Sequence, residues 1–500
     1  MAHALLIEGM HHSFCRLRPR GFLLTSVLLA TLFASASETL LEANPSDVFA
    51  DIRKNATPDE LYSLLFAMPK GGDLHHHGAG SVPMEYVVDY YRDREKNGGQ
   101  DFYIRTRIEF CPDARLRPEV MFHVLRESQW LKLDPCLQTQ FEPVESLTET
   151  QVAAWLSDLK IDEASEGRDE FFEKIWWRLG PCFSDLTIGP ELLVENMKSL
   201  GKEGIRYLEI QTIPWASSEH NGDPIEAEVW YETYKKRLAQ PDAVATGVTV
   251  RFQVVIIRFL EDAEDHVRRA FAFIDSHRDL FVGINLAGRE DDGKGQAARF
   301  TEVFREMQRK YPRIPLSIHA GESDEANSNI HDTLLLGADR IGHGLNLLKD
   351  PDTYLLLRNN RYLVETNLVS NKLLEYVLDP QDHPFPVFLR TGVPVCLNTD
   401  DRGMWDSTFS DEYYTAVSEY NLSWEEIVKV GRASLEYAFV DDSTKETLLA
   451  EYDSRIAGYE DVFLVSDWRA VARTVQPIVS NYGKQNFGLT LPVTMDQEIP

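Results

Sequence analysis

The sequence has 500 residues, of which 43% are hydrophobic and 26% are charged. This composition is typical of a folded globular protein and excludes collagenous, low-complexity and fully disordered chains. The formal charge is −29, and so acidic a surface repels phosphate backbones, which excludes broad binding to nucleic acid. The length suits one large enzyme domain with insertions, or two to three ordinary domains.

The first forty residues have the pattern of a cleavable export signal. Three arginines, at 16, 18 and 20, precede the apolar run 21–33, and the small residues 34–36 follow it. We therefore predict a signal peptide over residues 1–36 and a secreted or periplasmic protein whose mature chain starts near Ser37. A membrane anchor is the alternative, but the apolar run is short for a bilayer, and we expect no stable membrane insertion.

From about residue 200, strand-length apolar runs alternate with helix-length amphipathic segments. This alternation is the βαβ pattern of a parallel sheet. With the run that ends at Leu74, the sequence predicts eight strands and hence an α/β fold, a (β/α)8 TIM barrel over residues 68–480. We predict a helical segment at 37–67 before the barrel and a C-terminal tail at 481–500.

The first and second predicted strands are far apart in the sequence. About 130 residues separate His77 from Ile205, where a βαβ unit needs roughly 30. We therefore predict an inserted subdomain at about 93–168, after the first strand. It contains Cys111 and Cys136, which would be able to pair in an oxidising compartment, with two free thiols as the alternative.

Side chains that can bind metals follow four of the predicted strands. They are His75 and His77 after the first strand, then His319, His343 and Asp400 after later ones. In a (β/α)8 barrel all these positions open onto the C-terminal mouth. Residues two apart in a strand point the same way, so His75 and His77 can share one ligand while the histidine between them points elsewhere.

Three imidazoles and one carboxylate favour Zn²⁺ over Mg²⁺ or Ca²⁺, and we predict one zinc ion per chain. Its ligands would be His75, His77, His319 and Asp400. Glu322 would be able to exchange protons with a substrate, and His343 to hold or deprotonate an attacking water. Each residue alone also fits a structural role, such as a solvated histidine run or a helix cap. Their joint position at four strand ends is what favours a catalytic site.

Five segments, in order, resemble the adenosine deaminase family of metal-dependent amidohydrolase barrels. They are MPKGGDLHHH (68–77), GINLAG (283–288), SIHAGE (317–322), RIGHG (340–344) and LNTDD (397–401). The resemblance covers roughly residues 60–470. The export signal and the insertion resemble those of the exported branch of that family, the adenosine deaminase-related growth factors.

The resemblance implies hydrolysis of adenosine or 2′-deoxyadenosine to the 6-oxopurine and ammonia, the reaction of a hydrolase acting on the C–N bonds of cyclic amidines. It implies that Glu322 protonates the purine at N1 and that His343 orients the attacking water and stabilises charge. Asp401 would contact N7, and the backbone of Gly288 would meet N3. The zinc ligands that it implies are the four predicted above.

Two positions depart from the family pattern. Ala79 stands where the family has an acidic residue that contacts the ribose, so that some other group must read the sugar, or the sugar is read less strictly. Arg289 stands where an acid is more usual; we expect it to pair with Glu290, with phosphate binding as the alternative. Four aromatic residues near the insertion would cover the substrate or, as we favour, pack in the core: Phe171, Phe172, Trp176 and Trp177.

Other functions stay open from the sequence alone. One is a related aminohydrolase acting on another 6-aminopurine, or on an ester or amide. Another is an extracellular binding or growth-factor-like protein built on an inactive barrel, which the intact set of site residues argues against. A purine nucleoside is the partner we expect, and a homodimer through the helical segment 44–66 is the other partner that stays open.

Overall fold

The computed structural model describes residues 44–218, 223–465 and 467–492. The predicted signal peptide lies outside these residues, as does the end of the predicted tail. Within them no helix is long and apolar enough to cross a membrane. The strands in chain order are β1 (Gly71–His77), β2 (Phe102–Arg105), β3 (Val124–Arg126), β4 (Phe141–Pro143), β5 (Ile205–Thr212), β6 (Thr249–Ile257), β7 (Phe281–Ala287), β8 (Ser317–Ala320), β9 (Arg340–His343), β10 (Leu363–Thr366) and β11 (Val395–Leu397).

Eight of these strands form a parallel barrel. One sheet has the order β1-β5-β6-β7 and the other the order β8-β9-β10-β11, with parallel pairing throughout. Single bridges join Ile284 to Leu316 and His76 to Asp400, which closes the ring at both seams. The predicted (β/α)8 barrel is confirmed, and the eight predicted apolar runs are its strands.

Helices cover the outside of the barrel because each connection between parallel strands must return to the same end of the sheet. The helix Trp424–Glu436, for example, begins where Ser423 and Glu426 satisfy each other's backbone N–H groups in a capping box. The helices of eight or more residues are Pro45–Asn55, Pro58–Ala67, Met84–Arg92, Glu149–Asp158, Gly189–Lys202, Ala227–Leu238, Ala263–Ser276, Thr301–Lys310, Asn329–Leu336, Pro351–Asn360, Phe409–Ser418, Trp424–Glu436 and Asp442–Val465. Shorter α-helices are Glu127–Trp130, Pro135–Gln138, Arg168–Glu170, Trp176–Arg178, Pro241–Ala245, Leu368–Leu373, Phe385–Thr391, Trp468–Ala472 and Asn481–Phe487.

The long segment between β1 and β5 contains a small antiparallel sheet of order β3-β2-β4. Cys111 and Cys136 form a disulfide in it, while Cys182 and Cys396 are buried free thiols. Trp155 and Phe102 belong to a second group of buried apolar side chains. The boundaries 93–168 of a separate inserted subdomain stay a prediction.

The predicted tail at 481–500 is described as far as residue 492, and its first part is folded. Residues Asn481–Phe487 form a helix that Ser480 caps through the backbone N–H of Gly483. The ring of Phe487 stacks on Tyr414, with 4.2 Å between centroids, and Tyr482 is buried. These two aromatic side chains attach the segment because folding removes their apolar area from water.

Candidate active site

Four donor side chains converge at the C-terminal mouth of the barrel. The Nε2 atoms of His75 and His319 are 3.0 Å apart, and those of His77 and His319 are 3.2 Å apart. Oδ1 of Asp400 lies 3.1 Å from Nε2 of His77 and 3.5 Å from Nε2 of His75. The structure thus brings together the four predicted metal ligands. His76 faces away, toward Asn196.

A chain of ion pairs below the site orients His75. Nδ1 of His75 lies 2.8 Å from Oε2 of Glu365, and Oε1 of Glu365 accepts a hydrogen bond from Nε of Arg340 at 2.6 Å. Arg340 also pairs with Glu209. Although burial alone would raise it, the Arg340 guanidinium lowers the pKa of Glu365 below its usual value. An ionised Glu365 accepts a hydrogen bond from Nδ1–H of His75. The Nε2 atom of His75 therefore keeps a lone pair, which faces the other predicted metal ligands.

His319 is held in the same way. Its Nδ1 donates to Oδ1 of Asn285, at 2.7 Å, so its Nε2 also presents a lone pair. Burial and the neighbouring His75 lower the pKa of His319 well below its usual value, which keeps the imidazole neutral.

The donor geometry fits a metal ion. Lone pairs of His75 and His319 that face each other at 3.0 Å repel one another unless a cation lies among them. A tetrahedral ion with bonds of about 2.0–2.1 Å keeps its donor atoms roughly 3.4 Å apart, close to the distances observed. His343 also has a ring nitrogen within 4.8 Å of the donor atoms of His75, His319 and Asp400. Nitrogen-rich donor sets of this kind bind transition metals.

Glu322 is buried beside this cluster. Only 4% of it is exposed, and its Oε1 lies 3.9 Å from Nε2 of His343. Burial, reinforced by the negative charges of Asp400 and Glu290, raises the pKa of Glu322 well above its usual value. The surroundings therefore favour the protonated carboxyl group, which is the form that is able to donate a proton.

A relay of hydrogen bonds fixes the tautomer of His343. The backbone N–H of Phe385 donates to Nδ1 of His383, and Nε2 of His383 donates to Oδ1 of Asn371. Nδ2 of Asn371 donates to Nδ1 of His343 at 3.1 Å, and Nδ2 of Asn367 donates to the same atom at 3.2 Å. Burial lowers the pKa of His343 to about 3. His343 is therefore neutral, with its single ring proton on Nε2, directed toward the site.

The predicted ligands other than His75 line a cavity of about 490 Å³, together with Glu322, His343 and the two predicted substrate contacts. Asp401 is 2% exposed, and its Oδ1 has no hydrogen-bond partner among the described residues. Its carboxylate lies over Gly80, where a Cβ atom would come within 1.7 Å of Oδ1. Gly288 has φ +112° and leaves its backbone open to the cavity beside Phe259.

The four aromatic residues near the insertion form one wall of this cavity. Phe171 is buried and packs on Trp405, whereas Trp177 is half exposed; core packing and cavity lining thus occur together. The expected pairing of Arg289 with Glu290 is wrong. Arg289 pairs with Asp169 and Asp291, because Glu290 points inward and accepts the backbone N–H of Gly321.

Sequence reasoning missed the residues that orient the ligands: Glu365, Asn285, Arg340 and Asn371. Three of them are polar residues inside strands β7, β9 and β10. A charged or amide side chain within an apolar strand was the signal that would have pointed to them, because such a group is buried only with a partner.

The adenosine deaminase family model matches residues 161–455, more than half of the chain. The chain belongs to the adenosine deaminase family. It is 29% identical over 283 residues to the adenosine deaminase of Shewanella loihica, which covers 56% of this chain and 82% of that one. It is 26% identical over 354 residues to the adenosine deaminase of Plasmodium falciparum, covering 68% and 93%.

A solved structure of Arabidopsis ADAL in complex with IMP shares the fold. Its TM-score is 0.59 at 19% identity, and the match covers 79% of this chain and 99% of that one. The family assignment makes the protein a hydrolase and is consistent with the buried His and Asp cluster.

Proposed function

We propose that this protein is an exported, zinc-dependent adenosine deaminase that converts adenosine and 2′-deoxyadenosine to inosine and 2′-deoxyinosine with release of ammonia. One observation carries the proposal: three imidazoles and a carboxylate converge beside the buried carboxyl group of Glu322, whose pKa is raised by its burial. This is the combination that hydrolysis at a purine amidine carbon needs.

The residues that would hold zinc are His75, His77, His319 and Asp400. When bound, zinc lowers the pKa of a coordinated water toward neutrality, so that the water becomes a nucleophile. The tautomers set by Glu365 and Asn285 supply the neutral nitrogen donors that such an ion requires.

The chain's own residues then direct the proton transfers. Glu322 donates its proton to N1 of the purine, which draws electrons from C6. The oxygen of water bonds to C6 while Nε2–H of His343 donates a hydrogen bond to that oxygen and stabilises its charge. The bond between C6 and the exocyclic nitrogen breaks, and ammonia leaves with one proton of the water. The other water proton returns to Glu322, while N1 keeps the proton that it received. Burial raises the pKa of Asp401, and its protonated form donates a hydrogen bond to N7, while the backbone N–H of Gly288 donates one to N3.

Charge around the cavity supports a neutral nucleoside over a nucleoside monophosphate. Among its lining residues Asp400 is an ionised carboxylate, and a carboxylate repels a phosphate group. Two arginines close to its aromatic wall are already paired: Arg289 with Asp169 and Arg168 with Asp291. A monophosphate is the second candidate, because the Arabidopsis relative binds IMP.

The disulfide between Cys111 and Cys136 supports export, because disulfides persist in oxidising compartments. We therefore also propose that the protein belongs to the secreted growth-factor-like branch of the family. N-terminal sequencing of protein collected outside the expressing cells would give a chain that starts near Ser37. A chain that keeps residues 1–36 and stays inside would contradict this.

A substrate panel tests the reaction. The mature chain with zinc should convert adenosine and 2′-deoxyadenosine with similar kcat/KM and act poorly on AMP, as followed by ultraviolet absorbance and ammonia release. Preference for AMP would assign the monophosphate function instead. Stoichiometric zinc without turnover of any purine would favour the inactive binding protein.

A further inference from the structure

Gln211 lies beside the predicted ligands of strand β1. It is close to the C-terminal end of β5 and pairs in register with His77. Its backbone carbonyl accepts the N–H of Gly78, at 3.0 Å. This places Gln211 next to Ala79, which offers only a methyl group where the sugar of a nucleoside must be read.

The side chain of Gln211 points into the barrel. Residues two apart in a strand face the same side, and Glu209 reaches Gln253 and Arg340 in the barrel interior. Gln211 therefore faces the same interior one layer nearer the mouth, where it lines the cavity together with His77 and Ala79.

Both polar atoms of this side chain lack a partner. Gln211 is 3% exposed, and neither its Oε1 nor its Nε2 has a hydrogen-bond partner among the described residues. A buried amide without partners is unfavourable, so a bound molecule that satisfies it gains affinity. Among the described lining residues, the other buried side-chain atom without a partner is Oδ1 of Asp401.

We propose that Gln211 determines substrate specificity by hydrogen-bonding a sugar hydroxyl of the bound purine nucleoside; this rests on the proposed function. Its carboxamide carries one acceptor and one donor group, as does a hydroxyl. Asp401, Glu322 and the backbone of Gly288 serve the base in the proposed reaction, which leaves Gln211 for the sugar.

The test compares wild type with Gln211→Met, a variant of similar volume without the amide. Substrates are adenosine and its 2′-, 3′- and 5′-deoxy analogues. For wild type, we expect kcat/KM for one deoxy analogue to be lower than that for adenosine by about tenfold or more. Gln211→Met should lower kcat/KM for adenosine by the same factor. It should leave kcat/KM for that analogue unchanged.

Gln240→Met, the same substitution at an exposed glutamine that does not line the cavity, is the matched control and should leave the pattern among the analogues unchanged. Zinc content and thermal unfolding check that Gln211→Met is folded. Equal losses for the variant on all four substrates, or no loss, would overturn the role of Gln211 while leaving the deaminase function standing. Turnover of none of the four by wild type would overturn both proposals.

Discussion

At the scale of one residue, Glu322 shows how the fold changes the pKa of a carboxyl group. A carboxyl group in water is ionised at neutral pH, yet Glu322 is buried near the carboxylates of Asp400 and Glu290. Burial and like charge both disfavour the ionised form, so their effects on its pKa add. The same residue type at Glu325, three positions along the chain, is exposed.

Replacing Glu322 by Gln tests its role as the proton donor. The amide keeps the shape but cannot protonate N1, so we expect kcat to fall by about 10²–10⁴ while zinc remains bound. Steady-state kinetics and metal analysis measure the two effects. Glu325→Gln is the matched control with near-normal kcat. A near-normal kcat for Glu322→Gln would remove the residue from the mechanism.

The site residues themselves follow from the sequence, because each is a polar side chain at the end of a predicted strand. His75, His319 and Asp400 needed only the barrel topology to be placed together. Gln211 and Asn371 did not follow, since amides are common on surfaces and only the folded chain shows that they are buried. The predicted pairing of Arg289 with Glu290 was wrong because the direction of the Glu290 side chain depends on the geometry of a loop. The periodicity of the sequence does not encode that geometry.

At the scale of elements, the loops after the strands hold the site in unusual backbone conformations. His343 and Asp400 have φ of +63° and +54°, values that are rare for residues other than glycine. Such conformations persist where surrounding contacts enforce them, and they cluster at functional sites. For Asp400 these contacts are backbone hydrogen bonds to His75 and His77.

The relay from His383 through Asn371 to His343 predicts a tautomer effect. Asn371→Asp replaces the amide donor by a carboxylate, which takes the ring proton onto Nδ1 and leaves a lone pair on Nε2. We expect kcat to fall by about a hundredfold or more with a changed pH profile and little change in zinc content.

Ser370→Ala is the control for the relay. Ser370 precedes Asn371, and its buried hydroxyl has no partner among the described residues, so its loss should leave kcat and the pH profile unchanged. Equal kinetic constants for wild type and Asn371→Asp would show that His343 does not depend on this relay.

The helix Phe409–Ser418 predicts a pH dependence of stability. Burial raises the pKa of Asp411 to about 7 from an ordinary value of 3.8. Between these values the folded chain keeps a proton that the unfolded chain releases, so rising pH lowers the free energy of unfolding by about 1.4 kcal/mol per unit. Below pH 3.8 the contribution is fully present.

Asp411→Asn removes this titration while keeping an acceptor for Thr408 and Ser480. Urea unfolding of both proteins between pH 4 and 8 measures the effect. The stability of wild type relative to the variant should decline up to about pH 7 and then stay constant. A difference independent of pH would contradict the assignment.

At the scale of the whole molecule, the barrel interior carries a polar layer beneath the site. Arg340 is fully buried and pairs with two buried carboxylates, Glu209 and Glu365, and the layer ends where Glu365 meets His75. Buried charges are tolerated only in such complete networks. The eight apolar runs were enough to predict the barrel, whereas this layer depends on which side chains face inward together.

Metal removal tests the central claim most directly. The mature chain, stripped with a chelator and dialysed, is assayed for conversion of adenosine to inosine before and after zinc is added. We predict that kcat falls by about a hundredfold or more on stripping and returns with one zinc per chain, and that His77→Asn is not restored in the same way. Full activity of the metal-free protein would contradict the account.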